Sequence, residues 1–428
     1  MLSSPFSRKA LNSLGQPIGR LMAQALQFPE LISLAAGFVD NSTLPLDEVT
    51  ECVARLNADK LRLRRSLQYD STAGNAELRA TLSEWSYREH PTARPHPNRI
   101  ILGAGSNQLL HLVAESLLDP GDIVLAAAPT YFVYMGTLRA LSVRVVGVTA
   151  DEDGMCMDAL QIQLDSLCAS GLAGRVKAIY LVTDFDNPAA STLSLERRLK
   201  LLDIVQRWRE QHGPLLILSD NAYQHLRYHG QSIAPLLALS DGAADYVVEF
   251  GTFSKSFSPG IRVGWGVFPE NMVDHLLDLK SSIDFGSPHF NQVLMNEILV
   301  SGAWDRHLAS VIDGYRTKLS STLAALDEQA RGLPGVSWRH PTGGMYVWLT
   351  LPHDMDASER GVLWQRATEQ GVLYVPGHYC FPSEGEPMHF NTVRLSFGVL
   401  SEEKIYEGVK RLCSAIRLAF ETASVAPT

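Results

Sequence analysis

The stretch Gly251-Thr252-Phe253-Ser254-Lys255-Ser256-Phe257-Ser258-Pro259-Gly260-Ile261-Arg262 lies between two short apolar runs, Tyr246–Phe250 before it and Val263–Phe268 after it. Such runs, bounded by Gly, Ser and Pro, read as buried strands. The stretch is therefore expected to turn at the carboxyl edge of a sheet, where open α/β sheets bind their ligands. A lysine in a loop is ordinarily a solvated one. Lys255 gains a chemical reading only from what the rest of the chain brings beside it.

Working outward, further runs at Ile100–Gly103, Ile123–Ala127, Val143–Val148, Ala178–Thr183 and Leu215–Ser219 complete a set of seven expected strands. Several are continuously apolar, as strands covered on both faces are. Between them Asn107–Leu118 carries Leu109, Val113 and Leu117 at helical spacing, with Ser106 placed as an N-cap, and Leu195–His212 is a second helical pattern. The alternation predicts an α/β fold with a seven-stranded, mostly parallel sheet between helices. After Asp284 the pattern changes. Phe290–Gln329 reads as mainly helical, Gly343–Leu351 and Val393–Phe397 as strands, and Glu402–Thr422 as a closing helix. This predicts a smaller α+β domain. The expected division is 1–45 for an N-terminal arm with part of the small domain, 46–289 for the large domain and 290–428 for the small C-terminal domain.

The 428 residues, 46% hydrophobic and 19% charged, suffice for two cores. A net charge of -9 argues against a nucleic-acid or anionic-membrane partner, which would need a basic face. Small polar metabolites are the expected partners. Cys52, Cys156, Cys168, Cys380 and Cys413 form no CxxC pair, so neither a metal site nor a disulfide framework is expected, and a cytoplasmic setting fits. Met1 to Gln16 lacks the charged and apolar regions of a secretory signal, and no apolar run approaches the ~18 residues of a membrane span.

The neighbours of Lys255 suit pyridoxal 5'-phosphate (PLP). Its phosphate dianion calls for a helix N-terminus, hydroxyls and a guanidinium, and Ser106, Asn107, Ser254 and Arg262 offer these. Its ring acts as an electron sink while a carboxylate keeps the pyridine nitrogen protonated. Asp220 ends a buried run and is the candidate, needing a cationic partner. Tyr223 or Asn187 could donate to the ring's phenolic oxygen. Taken singly, Ser106 is a helix cap, Arg262 a surface ion pair, Asn187-Pro188 a turn and Tyr223 a packing residue.

Eight segments in order carry a resemblance: Ile32-Ser33-Leu34-Ala35-Ala36-Gly37, Gln68-Tyr69 with Gly74, Gly105-Ser106-Asn107-Gln108, Pro129-Thr130-Tyr131, Asn187-Pro188, Ser219-Asp220-Asn221-Ala222-Tyr223, Ser254-Lys255 through Arg262, and Val393-Arg394-Leu395-Ser396. From about Leu31 to Phe397 the chain resembles the fold-type I, class I/II PLP-dependent aminotransferases, particularly their aminoadipate and kynurenine branch. The resemblance implies that Lys255 carries PLP as a Schiff base, that Tyr131 stacks on the ring, that Arg394 clamps the substrate α-carboxylate and that Gly37 offers it a backbone amide. It also implies that Tyr69 reaches the phosphate of a neighbouring subunit, which would make the working unit a homodimer with a shared active site. The implied reaction moves an amino group from an L-amino acid to a 2-oxo acid, with Lys255 returning the α-proton.

One segment departs from the family: Asn187-Pro188-Ala189-Ala190 stands where Asn-Pro-Thr-Gly is usual. With Asp184 and Asp186 beside it, either aspartate could favour a cationic or polar substrate extension, against ordinary loop solvation. The departure also leaves room for elimination, replacement or cyclisation in specialised metabolism, for which His225, His289, His378 and Tyr379 are the available acid/base groups. A ligand-sensing regulator would need a DNA-binding domain, and only about thirty residues precede Leu31, fewer than a domain of ordinary size.

Overall fold

The computed structural model describes residues 5–17, 19 and 31–425. Part of the expected N-terminal arm, residues 1–4, 18 and 20–30, lies outside the described residues, as do 426–428. All seven expected strands join one sheet. Its order is Glu384–Gly385, Arg144–Asp151, Ile123–Ala128, Val176–Val182, Leu216–Asp220, Val247–Thr252, Gly264–Val267 and Ile100–Gly103. Gly154–Met155 pairs with Arg144–Asp151 off this path, so among the described residues the sheet has nine strands rather than seven. The two additions are two residues long, too short to register as an apolar run.

The five strands from Arg144–Asp151 to Val247–Thr252 are parallel, and Gly264–Val267 runs antiparallel to both of its neighbours. The reversal follows from the loop Phe253–Val263, which is too short to hold the crossover a parallel partner requires. Lys255 is thereby fixed at the carboxyl end of a wholly buried strand. Helix Leu195–His212 has its expected bounds, with the Ser194 hydroxyl accepting from the Arg197 amide. Helix Ser106–Leu117 begins one residue early: its N-cap residue is Gly105 at φ +89, and Ser106 does not cap by its side chain.

The smaller sheet has the order Ser337–Trp338, Tyr346–Thr350, Thr392–Ser396 and Val375–Pro376, antiparallel throughout. Helices Ala303–Gln329 and Glu402–Val425 accompany it. The first long strand starts at Tyr346, not Gly343, because Gly344 sits at φ +78, and a side chain at Gly343 would lie 2.4 Å from the Leu226 carbonyl. The helical stretch after Phe290 breaks at Ser301-Gly302, where Gly302 takes φ +69.

Two apolar cores result. One surrounds the large sheet through residues such as Leu109, Val124, Ile179 and Phe250, and the other surrounds the small sheet through Leu326, Val347, Leu395 and Ile416. Each fully buried aliphatic or aromatic side chain contributes about 1.5–3 kcal/mol relative to exposure. A third, smaller group, including Ala35, Phe132, Trp348 and Val375, joins the two. The N-terminal strand Ile32–Ser33 pairs with Val372–Leu373, and the Ser396 amide donates to the Leu34 carbonyl at 2.7 Å. Ala35–Phe38 are thus held against the strand that carries Arg394. Among the described residues no helix is long and apolar enough to cross a membrane.

Candidate active site

Two adjoining cavities, about 200 and 420 Å³, open where the large sheet's carboxyl edge meets the small sheet. Asn107, Tyr131, Asn187, Tyr223 and Lys255 line both. Ser106, Asp220, Ser254 and Arg262 line only the first; Gly37 and Arg394 line only the second. Eleven of the twelve expected site residues therefore converge. The twelfth, Tyr69, is 78% exposed, lines neither cavity and packs edge-on against Phe285 at 5.5 Å.

The first cavity is floored by a turn that tolerates no side chains. A Cβ on Gly105 would come within 2.5 Å of the Arg262 guanidinium, and one on Gly264 within 2.5 Å of the Ser106 amide nitrogen. Arg262 itself takes a left-handed φ of 54 and is braced by the Ala104 carbonyl at 2.7 Å and the Pro259 carbonyl at 3.0 Å. Thr252 Oγ1 donates to Ser254 Oγ at 3.0 Å and accepts from the Ser254 amide at 3.2 Å. The result is a helix N-terminus, two serine hydroxyls and a guanidinium facing one space, which suits a phosphate dianion.

At the other side of this cavity Asp220 is buried and accepts from the Tyr180 hydroxyl at 3.2 Å through Oδ2. Its Oδ1 is also buried and has no hydrogen-bond partner among the described residues. Burial pushes its pKa up to about 6. A buried carboxylate oxygen left bare is costly unless a donor arrives, and a protonated pyridine nitrogen is such a donor. The residues present therefore fit PLP, and Lys255 supplies the amine. Its Nζ donates to the Gly37 carbonyl at 2.9 Å.

In the second cavity Arg394 is buried within strand Thr392–Ser396, opposite Trp348. Its Nη1 donates to Asn187 Oδ1 and its Nη2 to the Ala35 carbonyl, both at 2.8 Å, while Nε lacks a partner. The guanidinium lies 4.4 Å from the centre of the Tyr346 ring. An arginine held this way keeps donors available for a planar carboxylate.

Two members of this site were not among the expected residues. Thr252 is the last residue of strand Val247–Thr252, two positions past the apolar run. Tyr346 projects its hydroxyl to 3.2 Å from that of Tyr223. The signal for Tyr346 was a tyrosine in a buried strand, whose hydroxyl needs a partner.

The aspartates of the departing segment do not serve the substrate space. Asp184 accepts from Arg198 and Arg227, one guanidinium on each oxygen at 2.8 Å. Asp186 Oδ1 closes its own turn, accepting from the Ser191 amide at 2.6 Å and hydroxyl at 2.9 Å. Neither lines the two cavities, so the cationic-substrate expectation fails: both carboxylates are spent on structure. The four acid/base candidates for other chemistry also lie outside both cavities. His225, for one, packs at 5.0 Å from Trp85 and from Trp304, and burial pushes its pKa down to about 4.

Comparison with known proteins agrees with this geometry. Residues 29–412 match the family model for aminotransferase class I and II. The chain is 33% identical to aromatic-amino-acid aminotransferase 1 of Thermococcus litoralis, over 96% of this chain and 94% of that protein. It is 34% identical to 2-aminoadipate transaminase of Thermus thermophilus, over 95% and 96%. The crystal structure of Pyrococcus horikoshii kynurenine aminotransferase superposes with a TM-score of 0.88 at 30% identity, covering 97% of both chains. A fold-type I architecture, a PLP-shaped pocket with an amine, and this match across nearly the whole length lead to one conclusion: the chain belongs to the aminotransferase class I and II family and is a PLP-dependent transferase.

Proposed function

We propose that this aminotransferase takes its amino group from an L-amino acid with an apolar or aromatic side chain and passes it to a 2-oxo acid. The carrying observation is that Lys255 lines both cavities, one ending in the bare oxygen of Asp220 and the other in Arg394. Beyond Lys255 and Arg394, the substrate cavity is walled largely by Ala35, Ala36, Phe38, Phe132 and Val133, which supports a side chain without charge.

PLP, when bound, supplies an electron sink for the pair of electrons left at the substrate's α-carbon. In this reading Asp220 Oδ1 would hold a proton on the ring nitrogen, Tyr223 and Asn187 would donate to the phenolic oxygen, and Tyr131 would cover the ring. Ser106, Asn107, Ser254 and Arg262 would hold the phosphate. Arg394 and the Gly37 amide orient the α-carboxylate. Lys255 Nζ would take the proton from the substrate's α-carbon and hand it on, so that one amine serves as both base and acid.

The test is a panel of amino acids offered to the PLP-loaded enzyme without 2-oxo acid, with products read by mass spectrometry. One equivalent of 2-oxo acid should form from aromatic or aliphatic donors and none with Lys255→Ala. Selective turnover of lysine or arginine would sink the side-chain assignment. Loss of a side-chain fragment would sink amino transfer.

The second copy is the proposed partner, and the working unit a homodimer. Support comes from exposed Leu61, Leu67, Tyr69, Ile283 and Phe285, apolar groups a monomer would leave in water, and from Tyr69 lying outside its own chain's site. A sedimentation mass of 47.1 kDa for the holoenzyme would overturn it. The separate cores support two domains, but Val293, Met295, Ile298 and Trp304 pack into the large-sheet core, so the boundary expected at 289 belongs further along the chain; a cytoplasmic location is retained, which fractionation would check.

A further inference from the structure

Tyr346 is buried in strand Tyr346–Thr350, edge-on to Tyr223 with ring centres 5.8 Å apart. The two hydroxyl oxygens are 3.2 Å apart, and Asn187 Nδ2 donates to the Tyr346 hydroxyl at 3.5 Å. The position is tightly held. Arg394 lies over the ring face, and a Cβ on Gly37 would come within 2.7 Å of the hydroxyl. Each tyrosine hydroxyl has one proton to give. If Tyr223 gives its proton to the cofactor's phenolic oxygen, its contact with Tyr346 must run the other way, with Tyr346 as donor and Tyr223 as acceptor.

We propose that Tyr346 is a positioning residue that polarises Tyr223, so that Tyr223 donates more strongly to the phenolic oxygen of PLP. The inference rests on the role given to Tyr223 above. Hydrogen bonds in a buried chain strengthen one another. A stronger donation draws electron density from the phenolic oxygen, which makes it a poorer holder of the proton it shares with the Lys255 nitrogen. Tyr346 therefore lowers the pH at which that proton is lost. Tyr131, Asp220, Lys255 and Arg394 on the cavity side, with Tyr315 behind Tyr346, are the titratable and charged groups around the pair, and Tyr346→Phe leaves all five in place.

The experiment is a pH titration of the resting holoenzyme's visible absorption, for the natural enzyme, Tyr346→Phe, Tyr223→Phe and the double variant. Tyr346→Phe keeps the ring under Arg394 and should raise the midpoint by ~0.5 pH unit; Tyr223→Phe should raise it further. The double variant should match Tyr223→Phe alone, since the outer hydroxyl acts only through the inner one. An unmoved midpoint in Tyr346→Phe, where Tyr223→Phe moves it, overturns the inference, as does a double variant whose shift is the sum of the two. If Tyr223→Phe itself leaves the midpoint unmoved, the role of Tyr223 fails first, and the relay with it.

Discussion

Asp184 and Asp220 lie just past or at the ends of adjacent strands, Val176–Val182 and Leu216–Asp220, and are buried to almost the same degree, 5% and 4% exposed. Asp184 has each oxygen taken by a guanidinium. Asp220 has one oxygen on Tyr180 and the other on nothing. The two carboxylates thus divide the roles of structure and chemistry. A buried charge whose bonds are complete holds loops together and is unavailable, whereas one left incomplete at the wall of a cavity is open to a ligand. The same contrast separates Arg198, whose donors go to the Leu193, Ala234 and Thr183 carbonyls and Asp184, from Arg394, whose Nε is bare.

The largest test of this contrast is Asp220→Asn. Without a carboxylate to keep the ring nitrogen protonated, turnover should fall on the order of 10³–10⁴-fold, about 4–5.5 kcal/mol in barrier height. The cofactor-stripped protein should respond in the opposite sense. In the fold Asp220 keeps its proton up to about pH 6, against an ordinary value of 3.8. Between those values the native state binds more protons than the unfolded chain, so stability falls as pH rises through the window and stays lower above it. Asparagine has no such loss. Stripped Asp220→Asn should therefore gain on the natural protein between about pH 4 and 6, by about 1–3 kcal/mol. Denaturant unfolding at the two ends of the window measures this, and a difference that does not change with pH would break the contrast.

Asp184→Asn should do the reverse, costing stability and sparing chemistry. It leaves Arg198, itself 1% exposed, short of its counter-charge, a loss of about 3 kcal/mol. Arg227 is more accessible and will recover part of its share from water. The urea midpoint should drop while turnover per bound cofactor stays within about three-fold. A loss of turnover as severe as that of Asp220→Asn would mean that Asp184 faces the chemistry after all.

Much of this was readable in the chain because it is local. Continuous apolar runs marked the seven strands, and Lys255 followed from a loop too short to cross over. The quantities that divide Asp184 from Asp220 were not readable, because the deciding partners are distant. Arg198 reaches Asp184 from inside a helix and Arg227 from a loop, whereas Tyr180 meets Asp220 across strand pairing. Sequence proximity to the site made Asp184 and Asp186 look functional, and only the geometry shows the first neutralised by two guanidinium groups and the second closing its own turn. Tyr346 went unnoticed for the same reason: its partners Tyr223 and Asn187 belong to the large domain's loops, over a hundred positions away.

The smallest effect probes the turn that Asp186 closes. Ala190 takes a left-handed φ of 55, where the family's usual glycine would be unstrained, and the turn is closed by the Ala190 amide on the Asp186 carbonyl at 2.8 Å. A non-glycine residue there carries about 1–2 kcal/mol of strain. Replacing it by glycine removes that strain, but loosens the unfolded chain by about 0.4–1 kcal/mol and forfeits one buried methyl. Ala190→Gly should therefore be nearly neutral, within about 0.5 kcal/mol. Ala189, equally buried but without the left-handed φ, should lose about 1 kcal/mol on the same change. Equal losses at both positions would mean that Ala190 carries no strain for Asp186 to hold. Unequal ones would show that alanine occupies a glycine's place at a cost the fold bears, in a turn whose carboxylate is given to structure beside one kept for chemistry.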